Sequence, residues 1–327
     1  MPLISFIIPA YDLPVHLLCE CLQSILQLPL NEEEREIILI DDGSPKSPLQ
    51  ELTDYAEHII YIRQKNSGLS AARNKGLEIC QGRYIQFVDG DDKLLPCGYT
   101  HCLDIIKNNP QADLVMFSHT RDELAERNET RDKKQETPVS GTHYMRHNNL
   151  QAGAWGYLFK RSILGDLRFT NGILHEDEEF TPLLLLRSEQ LIHTTTIAYY
   201  YRVRPHSIIQ ANDKSQTHKR LNDKERIIMH LADIAAHLST DGRTALQRRV
   251  NQLTMDYIYN IITRTHSEEE LNTRLNRLHQ QGLFPLPHAN YTQKYKWFRR
   301  LSRHAIGRKF MLAISKYGIP KQQESSM

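Results

Sequence analysis

The stretch YIQFVDGDD (residues 84–92) is an apolar run followed by Asp89, Asp91 and Asp92. A short, continuous apolar run is typical of a strand that is buried on both faces of a mostly parallel sheet. Carboxylates placed this close together repel, and each raises the pKa of its neighbours. The sequence therefore predicts a buried strand whose end needs a positive partner.

The same pattern extends over the first 118 residues. Four more apolar runs lie at 3–9, 36–40, 58–62 and 113–117. Segments of helical spacing lie between the runs, at 14–27, 48–57, 69–81 and 96–109. Alternation of this kind predicts a doubly wound α/β sheet with right-handed crossovers. Ligands bind such a sheet at the carboxyl ends of its strands, where this sequence concentrates polar and glycine residues.

The composition is that of a globular protein, with 40% of the 327 residues hydrophobic and 24% charged. A formal net charge of +2 gives no support to a nucleic-acid partner. Five cysteines, an odd number without metal-ligand spacing, favour a reducing cytosol. The N-terminus lacks the features of a signal peptide, and no apolar run approaches the roughly 18–20 residues that cross a bilayer. We therefore expect a cytoplasmic protein.

The chain changes character beyond residue 118. Residues 119–147 are highly charged and predict an exposed loop. The sequence has an ordered pattern again from residue 154 to about residue 208. After about residue 212 it is helical and polar as far as a basic tail.

Asp89 and Asp91 form the first candidate ligand site, and Gly90 between them lets the backbone turn sharply. Two carboxylates so placed can share Mg²⁺ or Mn²⁺, with water and phosphate oxygens in the remaining positions. The alternative is a solvated turn or an N-cap for the helix predicted near residue 96. Their position at the ligand edge of the sheet favours the metal.

Two further strand ends carry polar motifs. Asp41 or Asp42, in DDGS, could cap the next helix or accept a hydrogen bond from a nucleotide base. Gly68, Ser70 and Arg73 lie at a predicted helix start, a setting that favours anionic oxygens. A Walker A loop and a G-x-G-x-x-G motif are both absent, which argues against ATP and dinucleotide sites.

Two charged motifs lie later in the chain. Residues 176–179 are four consecutive acids, which predict the solvated first turn of a helix and leave room for one general base among them. Arg202, Arg204 and His206 follow three tyrosines. These residues predict either an edge strand or a cationic flap over a diphosphate.

The chain resembles the family 2 inverting glycosyltransferases of the GT-A fold over roughly residues 3–210. The motifs that carry the resemblance are, in order, ISFIIPAYD, LQSIL, EIILIDDGS, SGLSAARNKGLE, GRYIQFVDGDD, WGYLFKRSIL and EDEEF. The resemblance implies a doubly wound, mostly parallel sheet flanked by helices. It also implies a catalytic domain at 1–210, with a donor half at 1–118 and an acceptor half at 119–210. A helical C-terminal region would follow at 211–327.

The resemblance further implies roles for individual residues. The nucleotide-sugar would be bound by Pro9, Ala10, Tyr11, Asp12, Asp42, Gly68, Arg73, Asp89, Gly90 and Asp91. Asp89 and Asp91 would hold Mn²⁺ or Mg²⁺, with Asp91 the direct ligand, and Asp177 would be the general base. The acceptor side and the flap would be formed by Trp155, Glu176, Arg202, Arg204 and His206. Trp155 fits a packed core position equally well.

The sequence departs from the family pattern at two points, and each limits how far the resemblance extends. Asp12 stands where the family commonly has asparagine, which puts an amide contact there in doubt. The motif Q-x-x-R-W is absent, so the processive polymer synthases of the family are a poor match.

The implied activity is metal-dependent, inverting transfer of a sugar from a nucleotide diphosphate, with UDP preferred, to a saccharide or lipid-linked saccharide. The product would be a polysaccharide or glycolipid made on the cytoplasmic face of a bacterial membrane. A sugar-1-phosphate nucleotidylyltransferase is one alternative, but it should carry a glycine-rich basic loop after the first strand, which PAYDLP is not. A non-catalytic nucleotide-sugar binding protein is the other, and the intact Asp89, Asp91 and Asp177 argue against it.

The C-terminal stretch 294–321 contains nine Lys or Arg residues and no acid, with large apolar residues interspersed. The apolar stripe changes face near Gly307, which predicts two short amphipathic helices. Such helices can lie at the surface of an anionic membrane. The alternative is a pair of packing helices with a solvated basic face.

Overall fold

A computed structural model describes residues 1–122, 137–204 and 214–317. The chain divides into two compact units. Unit 1 comprises Met1–Tyr144 and Gln151–Gln210, and unit 2 comprises Met145–Leu150 and Ala211–Met327.

Unit 1 is built on a mixed sheet with eight strands among the described residues. The strands are β1 (Ile4–Ala10), β2 (Arg35–Asp41), β3 (Ile60–Arg63), β4 (Tyr84–Phe87), β5 (Lys93–Leu94), β6 (Leu114–Thr120), β7 (Tyr157–Lys160) and β8 (Leu191–Tyr200). Their order across the sheet is β3-β2-β1-β4-β7-β6-β8-β5. Strands β3, β2, β1 and β4 are parallel, β7 is antiparallel to β4 and β6, and β5 is antiparallel to β8.

Helices flank this sheet. They are α1 (Val15–Leu26), α2 (Leu69–Ile79), α3 (Pro96–Asn108) and α5 (Asp177–Leu185). Helix α4 (Gly141–His147) begins in unit 1, and its residues from Met145 onward belong to unit 2. All seven residues of β1 are buried, as a continuous apolar run predicts for a central strand. Helix α2 packs so closely on β1 that only glycine fits at position 76. A Cβ there would lie 2.3 Å from Cγ2 of Ile7.

Unit 2 is helical over its described residues. Its helices are α6 (Lys214–His237), α7 (Thr240–Thr265), α8 (Glu268–Gln280), α9 (Gln293–Arg303) and α10 (Ala305–Tyr317). Helices α9 and α10 meet at His304, so the two short helices predicted for the basic stretch are present. Across the three described ranges, none of the helices has the length and apolarity needed to span a bilayer.

Two local predictions were wrong. Residues 48–57 form two 3₁₀ turns, Pro48–Glu51 and Thr53–Tyr55, rather than one α-helix, because the backbone N–H groups of Leu52 and Ala56 bond to the carbonyl oxygens three residues before them. The charged segment 119–147 is not an exposed loop throughout. Its last seven residues form α4, in which Tyr144 and Met145 are buried. Residues 123–136 lie outside the described part.

Candidate active site

The candidate site lies at the carboxyl edge of β1, β2 and β4. Because these strands are parallel, the residues that follow them, Tyr11, Asp42 and Asp89, lie along one edge. Strand β7 runs the other way, so the residues before it also lie at this edge. Gln86 of β4 confirms the placement, since its side-chain amide donates to the backbone oxygen of Trp155 at 2.9 Å.

Asp89 is paired with a buried arginine of α2. Arg73 donates from Nη2 to Oδ1 of Asp89 at 2.8 Å and from Nη1 to Oε1 of Glu176 at 2.6 Å. Its guanidinium also lies over the rings of Phe87 and Phe169, at 5.7 and 5.4 Å. Burial by itself would lower the pKa of Arg73, but the charges of Asp89 and Glu176 outweigh it and raise the pKa above its usual value. Arg73 is therefore a fixed cation between two acidic motifs, and the more distant of them, at Glu176, lies 103 residues along the chain from Arg73.

Asp91 is paired with a second arginine. Nε of Arg204 donates to Oδ2 of Asp91 at 2.6 Å. Arg202 contacts the same turn through its Nε, which donates to the backbone oxygen of Asp91 at 2.9 Å. Burial, followed by the charge of Asp89, raises the pKa of Asp91, and Arg204 partly offsets that rise.

Asp92, which the sequence analysis gave no role, connects this turn to the end of β8. Its Oδ2 accepts from the hydroxyl of Tyr199 at 2.8 Å, and its Oδ1 accepts from the backbone N–H of Arg202 at 2.8 Å. The Tyr199 hydroxyl in turn accepts from the N–H of Asp89 at 3.1 Å. Burial and the charges of Asp89 and Asp91 raise the pKa of Asp92. The tyrosines that end β8 were the only sequence signal for this contact.

The positive partner expected at the end of β4 is thus supplied by arginines of the protein. The resemblance to family 2 implies a metal ion at the same turn. Arg73 and Arg204 could not be matched to these acids beforehand, because 16 and 113 residues separate the partners.

The acidic residues of the turn also fit a divalent cation that a ligand completes. Within residues 1–122, 137–204 and 214–317, no cluster of three or more His, Cys, Asp or Glu side chains is arranged to hold a metal by itself. Each of the two ion pairs described above engages one carboxylate oxygen, Oδ1 of Asp89 and Oδ2 of Asp91. Both carboxylates are partly exposed, and Mg²⁺ is commonly held by one or two carboxylates together with water and phosphate oxygens.

Asp42 organises the loop before α2. Its Oδ1 accepts from Nε2 of Gln64 at 2.7 Å and from the N–H of Ser67 at 2.9 Å, and its Oδ2 accepts from the N–H of Gly68 at 2.8 Å. Gly68 has a φ of 89°, which favours glycine. These three bonds leave about one of the roughly four acceptor positions of the carboxylate for a nucleotide base. Asp41 is fully buried and binds Tyr61 and Ser44.

The first strand end presents one large exposed side chain. Tyr11 is half exposed, whereas Pro9 and Ala10 are buried within β1. Asp12 has a φ of 48°, and its N–H donates to Oγ of Ser44 at 2.9 Å. Tyr11 is therefore the residue of this group whose ring is accessible for stacking. Pro9 and Ala10 lie beneath the surface at the end of β1.

The acidic motif at 176–179 is more buried than a solvated first turn. Glu176 lies just before α5 and binds Arg73, and Glu179 accepts from the hydroxyl of Thr170 at 2.5 Å. Asp177 begins α5 and is half-buried, and its Oδ1 accepts from the N–H of Glu178 at 2.9 Å. The expectation of a solvated turn was wrong for Glu176 and Glu179, because a buried cation and a hydroxyl compensate their burial.

Trp155 is half-buried in an aromatic group at the same edge. Its ring stacks on Tyr199 at 4.7 Å and 17° and meets the edge of His119 at 4.8 Å. Burial lowers the pKa of His119, so its imidazole is more readily neutral there. The packing and the partial exposure of Trp155 agree with both interpretations of this residue, a core side chain and a sugar platform.

The structure describes the predicted cationic flap as far as Arg204. Arg202 and Arg204 contact the turn at Asp91, and Nη2 of Arg202 also reaches Oε2 of Glu20 at 2.5 Å. His206 lies outside the described residues. Gly90 is buried between the two aspartates of the turn.

Comparisons with known proteins identify the family and the fold. Residues 5–166 match the family model described as Glycosyl transferase family 2. Glycosyltransferase GlyA of Streptococcus pneumoniae serotype 4 is 29% identical over 272 residues, which are 77% of this chain and 38% of GlyA. The chain spans less than two thirds of the length of GlyA and of four further curated relatives.

Two solved structures are similar in fold. A TarS fragment from S. aureus, in complex with UDP-GlcNAc, superposes with a TM-score of 0.61 and 17% identity over 97% of this chain and 88% of that one. Mannosyltransferase PcManGT from Pyrobaculum calidifontis, in complex with GDP-Man and Mn²⁺, gives a TM-score of 0.55 and 14% identity over 97% and 84% of the two chains. The GT-A type α/β fold predicted from the sequence is confirmed, and the chain belongs to glycosyl transferase family 2.

Proposed function

We propose that this protein is a metal-dependent, inverting and non-processive transferase, which moves a sugar from a nucleotide diphosphate to an acceptor hydroxyl. The observation that carries the proposal is the pair of hydrogen bonds from Arg73, at 2.6 and 2.8 Å, to Glu176 and Asp89. They bring Asp89, one of the two acids that suit a divalent cation, close to Glu176, the chain neighbour of the proposed base Asp177. In this proposal residues 1–210 are the catalytic domain, with a donor half at 1–118 and an acceptor half at 119–210.

The donor half binds and orients the nucleotide-sugar. The exposed ring of Tyr11 stacks on the base, and the remaining acceptor position of Asp42 receives a hydrogen bond from it. Asp89 and Asp91 would hold Mn²⁺ or Mg²⁺, whose chemistry is to offset negative charge on the leaving diphosphate. Arg202 and Arg204 lie beside the same turn and add positive charge near the diphosphate.

The acceptor half supplies the proton acceptor. Asp177 takes the proton from the acceptor hydroxyl, whose oxygen attacks the anomeric carbon. The new carbon–oxygen bond forms on the face opposite to the bond that breaks, and the diphosphate leaves with that electron pair. Configuration at the anomeric carbon is therefore inverted. Glu176 keeps its ion pair with Arg73 throughout and so holds the start of α5 in place.

The relatives support a class of substrate. The S. aureus TarS structure contains UDP-GlcNAc, which favours a UDP-sugar for this chain. Relatives named as a minor teichoic acid biosynthesis protein and a poly(ribitol-phosphate) beta-glucosyltransferase favour a saccharide or lipid-linked saccharide acceptor in surface polysaccharide synthesis. All five cysteines are free thiols, which favours action in a reducing compartment such as the cytoplasm.

The deciding experiment is a screen of nucleotide-sugars for Mn²⁺-dependent hydrolysis and transfer by the full chain, together with Asp91→Asn. We expect one UDP-sugar to be cleaved by the wild-type protein. Asp91→Asn should abolish transfer and remove the Mn²⁺-dependent part of UDP binding in calorimetry. A folded Asp91→Asn variant with unchanged activity would exclude the metal assignment. Tight binding without any turnover would instead indicate a non-catalytic binding protein.

We also propose that α9 and α10 place the protein against an anionic membrane. Tyr295, Phe298 and Leu312 are buried, so one face of these helices packs within unit 2. Trp297, Ile306 and Phe310 are each more than half exposed, within a segment that carries nine Lys or Arg and no acid between residues 294 and 321. Each basic residue near an anionic leaflet contributes about 1 kcal/mol, and exposed aromatic side chains add to that.

Co-sedimentation with phosphatidylglycerol vesicles tests this surface in the full chain. The wild-type protein should bind at low salt and dissociate as salt rises, because the attraction acts over the Debye length. The triple variant Trp297→Ser, Ile306→Ser and Phe310→Ser should bind about tenfold or more weakly at unchanged melting temperature. If the wild-type protein ignores the vesicles at low salt, the helices have a packing role alone.

A further inference from the structure

The ion pair between Arg204 and Asp91 places a protein cation on a carboxylate that the proposed metal needs. The guanidinium Nε lies 2.6 Å from Oδ2 of Asp91, and both side chains are partly exposed. A divalent cation that binds this carboxylate must therefore compete with the guanidinium for it, or bind beside a like charge. In either case Arg204 weakens the binding of a metal that arrives alone.

The neighbouring arginines are held in ways that do not permit such an exchange. Arg73 is buried between Asp89 and Glu176 and lies over two aromatic rings. Arg202 is anchored by its backbone N–H to Asp92, by its Nε to the backbone oxygen of Asp91, and by its Nη2 to Glu20. Its guanidinium does not use the Asp91 carboxylate. Arg204, two residues further along, is therefore the described cation that can leave Asp91 without breaking the anchor of its segment.

We propose that Arg204 and the divalent cation take turns at Asp91, and that the nucleotide diphosphate drives the exchange. This inference rests on the proposed metal-dependent function. Arg204 neutralises Asp91 in the substrate-free protein. A diphosphate that arrives with a cation offers the guanidinium a second anionic partner, so Arg204 moves from the carboxylate to phosphate oxygens. Metal and nucleotide consequently bind with positive cooperativity, and each strengthens the binding of the other by the same factor.

The exchange predicts that one substitution has opposite effects on two affinities, strengthening the binding of Mn²⁺ alone and weakening the binding of UDP with Mn²⁺. Removing a positive charge far from any metal ligand changes cation binding little in salt, because exposed charges are screened. Removing the guanidinium that occupies Asp91 should change it much more. Arg204→Gln should therefore bind Mn²⁺ alone about tenfold more tightly than the wild-type protein. The same variant should bind UDP in the presence of Mn²⁺ more weakly, because the diphosphate loses its cationic partner.

Arg202→Gln is the matched control, since it removes the same charge two residues away without removing the partner of the Asp91 carboxylate. Because Arg204 still occupies the Asp91 carboxylate in this variant, its Mn²⁺ affinity should rise by less than that of Arg204→Gln. Arg204→Lys keeps the charge but loses the planar guanidinium, and its Mn²⁺ affinity should lie between those of the wild type and Arg204→Gln. Electron paramagnetic resonance of free Mn²⁺ measures these affinities directly, with and without UDP, and independently of turnover.

The outcomes separate this inference from the proposed function. Tighter Mn²⁺ binding by Arg204→Gln, together with a smaller effect of UDP on that binding, would establish the exchange. Equal or weaker Mn²⁺ binding by Arg204→Gln would overturn it, while Mn²⁺ binding by the wild-type protein with UDP would still support the metal-dependent function. A wild-type protein that binds no Mn²⁺ even with UDP would overturn both.

Discussion

Two buried arginines, one in each unit, have the same kinds of neighbouring residues. They differ in whether those neighbours satisfy all of the hydrogen bonds of the guanidinium. The side chains of Arg73 in unit 1 and Arg274 in unit 2 are both 3% exposed. Each lies between a buried glutamate and a partly exposed carboxylate, which is 26% exposed for Asp89 and 28% for Glu270. Composition and burial therefore do not tell the two clusters apart.

The hydrogen bonds do tell them apart. Arg274 uses all three of its nitrogens, on Glu270, on Glu225 and the Tyr257 hydroxyl, and on Asn222. Its partner Glu225 is bound in addition by Arg277, at 2.6 and 2.8 Å. A network in which every group has a partner rigidifies the packing of helices.

The cluster around Arg73 is less complete. Its Nε is buried and has no hydrogen-bond partner among the described residues. Its carboxylate partners come from a strand end and a helix start at the carboxyl edge of the sheet, where α/β proteins bind ligands. The comparison teaches that a buried ion pair indicates function when it is incomplete and lies at a ligand edge, and stability when it is complete.

The largest effect expected from this difference concerns the acids at two helix starts. Helix α5 begins with Asp177, and α8 begins with three glutamates, of which Glu269 is exposed. Asp177→Asn should lower turnover by about 10²–10⁴-fold, the usual contribution of a general base, with UDP-sugar affinity nearly unchanged. Glu269→Gln should leave turnover unchanged. Steady-state kinetics and calorimetry measure both. Normal turnover by Asp177→Asn, or its loss in Glu178→Gln, would show that the base is a different residue.

The second effect separates the two arginines directly. Arg73→Gln should lower the free energy of unfolding by about 3–5 kcal/mol, because it leaves the buried Glu176 without its cation. Arg274→Gln should lower it by about 1–3 kcal/mol, because Arg277 still pairs with the buried Glu225. Only Arg73→Gln should also lower turnover per folded molecule, by about 100-fold, since Asp89 and Glu176 lose their common partner. Denaturant titration gives the first quantity, and rates normalised to the folded fraction give the second. Equal loss of normalised turnover in both variants would show that the surroundings of Arg73 and of Arg274 do not differ in their importance for catalysis.

The smallest effect is the dependence of stability on pH in unit 2. Burial by itself raises the pKa of Glu225, but hydrogen bonds from Arg277 and Tyr257 outweigh it, so the pKa lies below its ordinary value of 4.5. The ionised form therefore stabilises the fold fully above pH 4.5, and this stabilisation is lost as the pH falls through the lowered value. The stability difference between the wild type and Glu225→Gln should shrink on acidification from pH 6 to about pH 3. Urea titrations over this range measure it, and a constant difference would contradict the prediction.

The sequence predicted the parts of this site that follow from strand ends. Asp42, Asp89 and Asp91 each follow a buried apolar run, and parallel strands bring such positions to one edge. The start of α5 at Asp177 followed from its run of acids. These predictions used local patterns, which one strand or one helix determines.

The partners of these acids could not be predicted. The contacts of Arg73 with Glu176 and of Arg204 with Asp91 join residues 103 and 113 positions apart, and the sequence offers many other arginines. The helix predicted at 48–57 was wrong for a different reason. An apolar spacing over so few residues does not distinguish 3₁₀ turns from an α-helix. Pairing at long range depends on how the helices seat on the sheet, which no local pattern encodes.

The close seating of α2 on β1 makes the core and the catalytic edge mechanically dependent on each other. Gly76 follows Arg73 by three residues, so the two lie on one face of the helix, about 4.5 Å apart along its axis. A Cβ at Gly76 would come within 2.3 Å of the Ile7 side chain, so the height of the helix above the sheet is set at this contact. A change in that height would shift the backbone from which Arg73 reaches its partners at 2.6 and 2.8 Å. Exchanging Ile7 for a bulkier or smaller residue is thus an active-site substitution in effect, although Ile7 is fully buried in the interior strand.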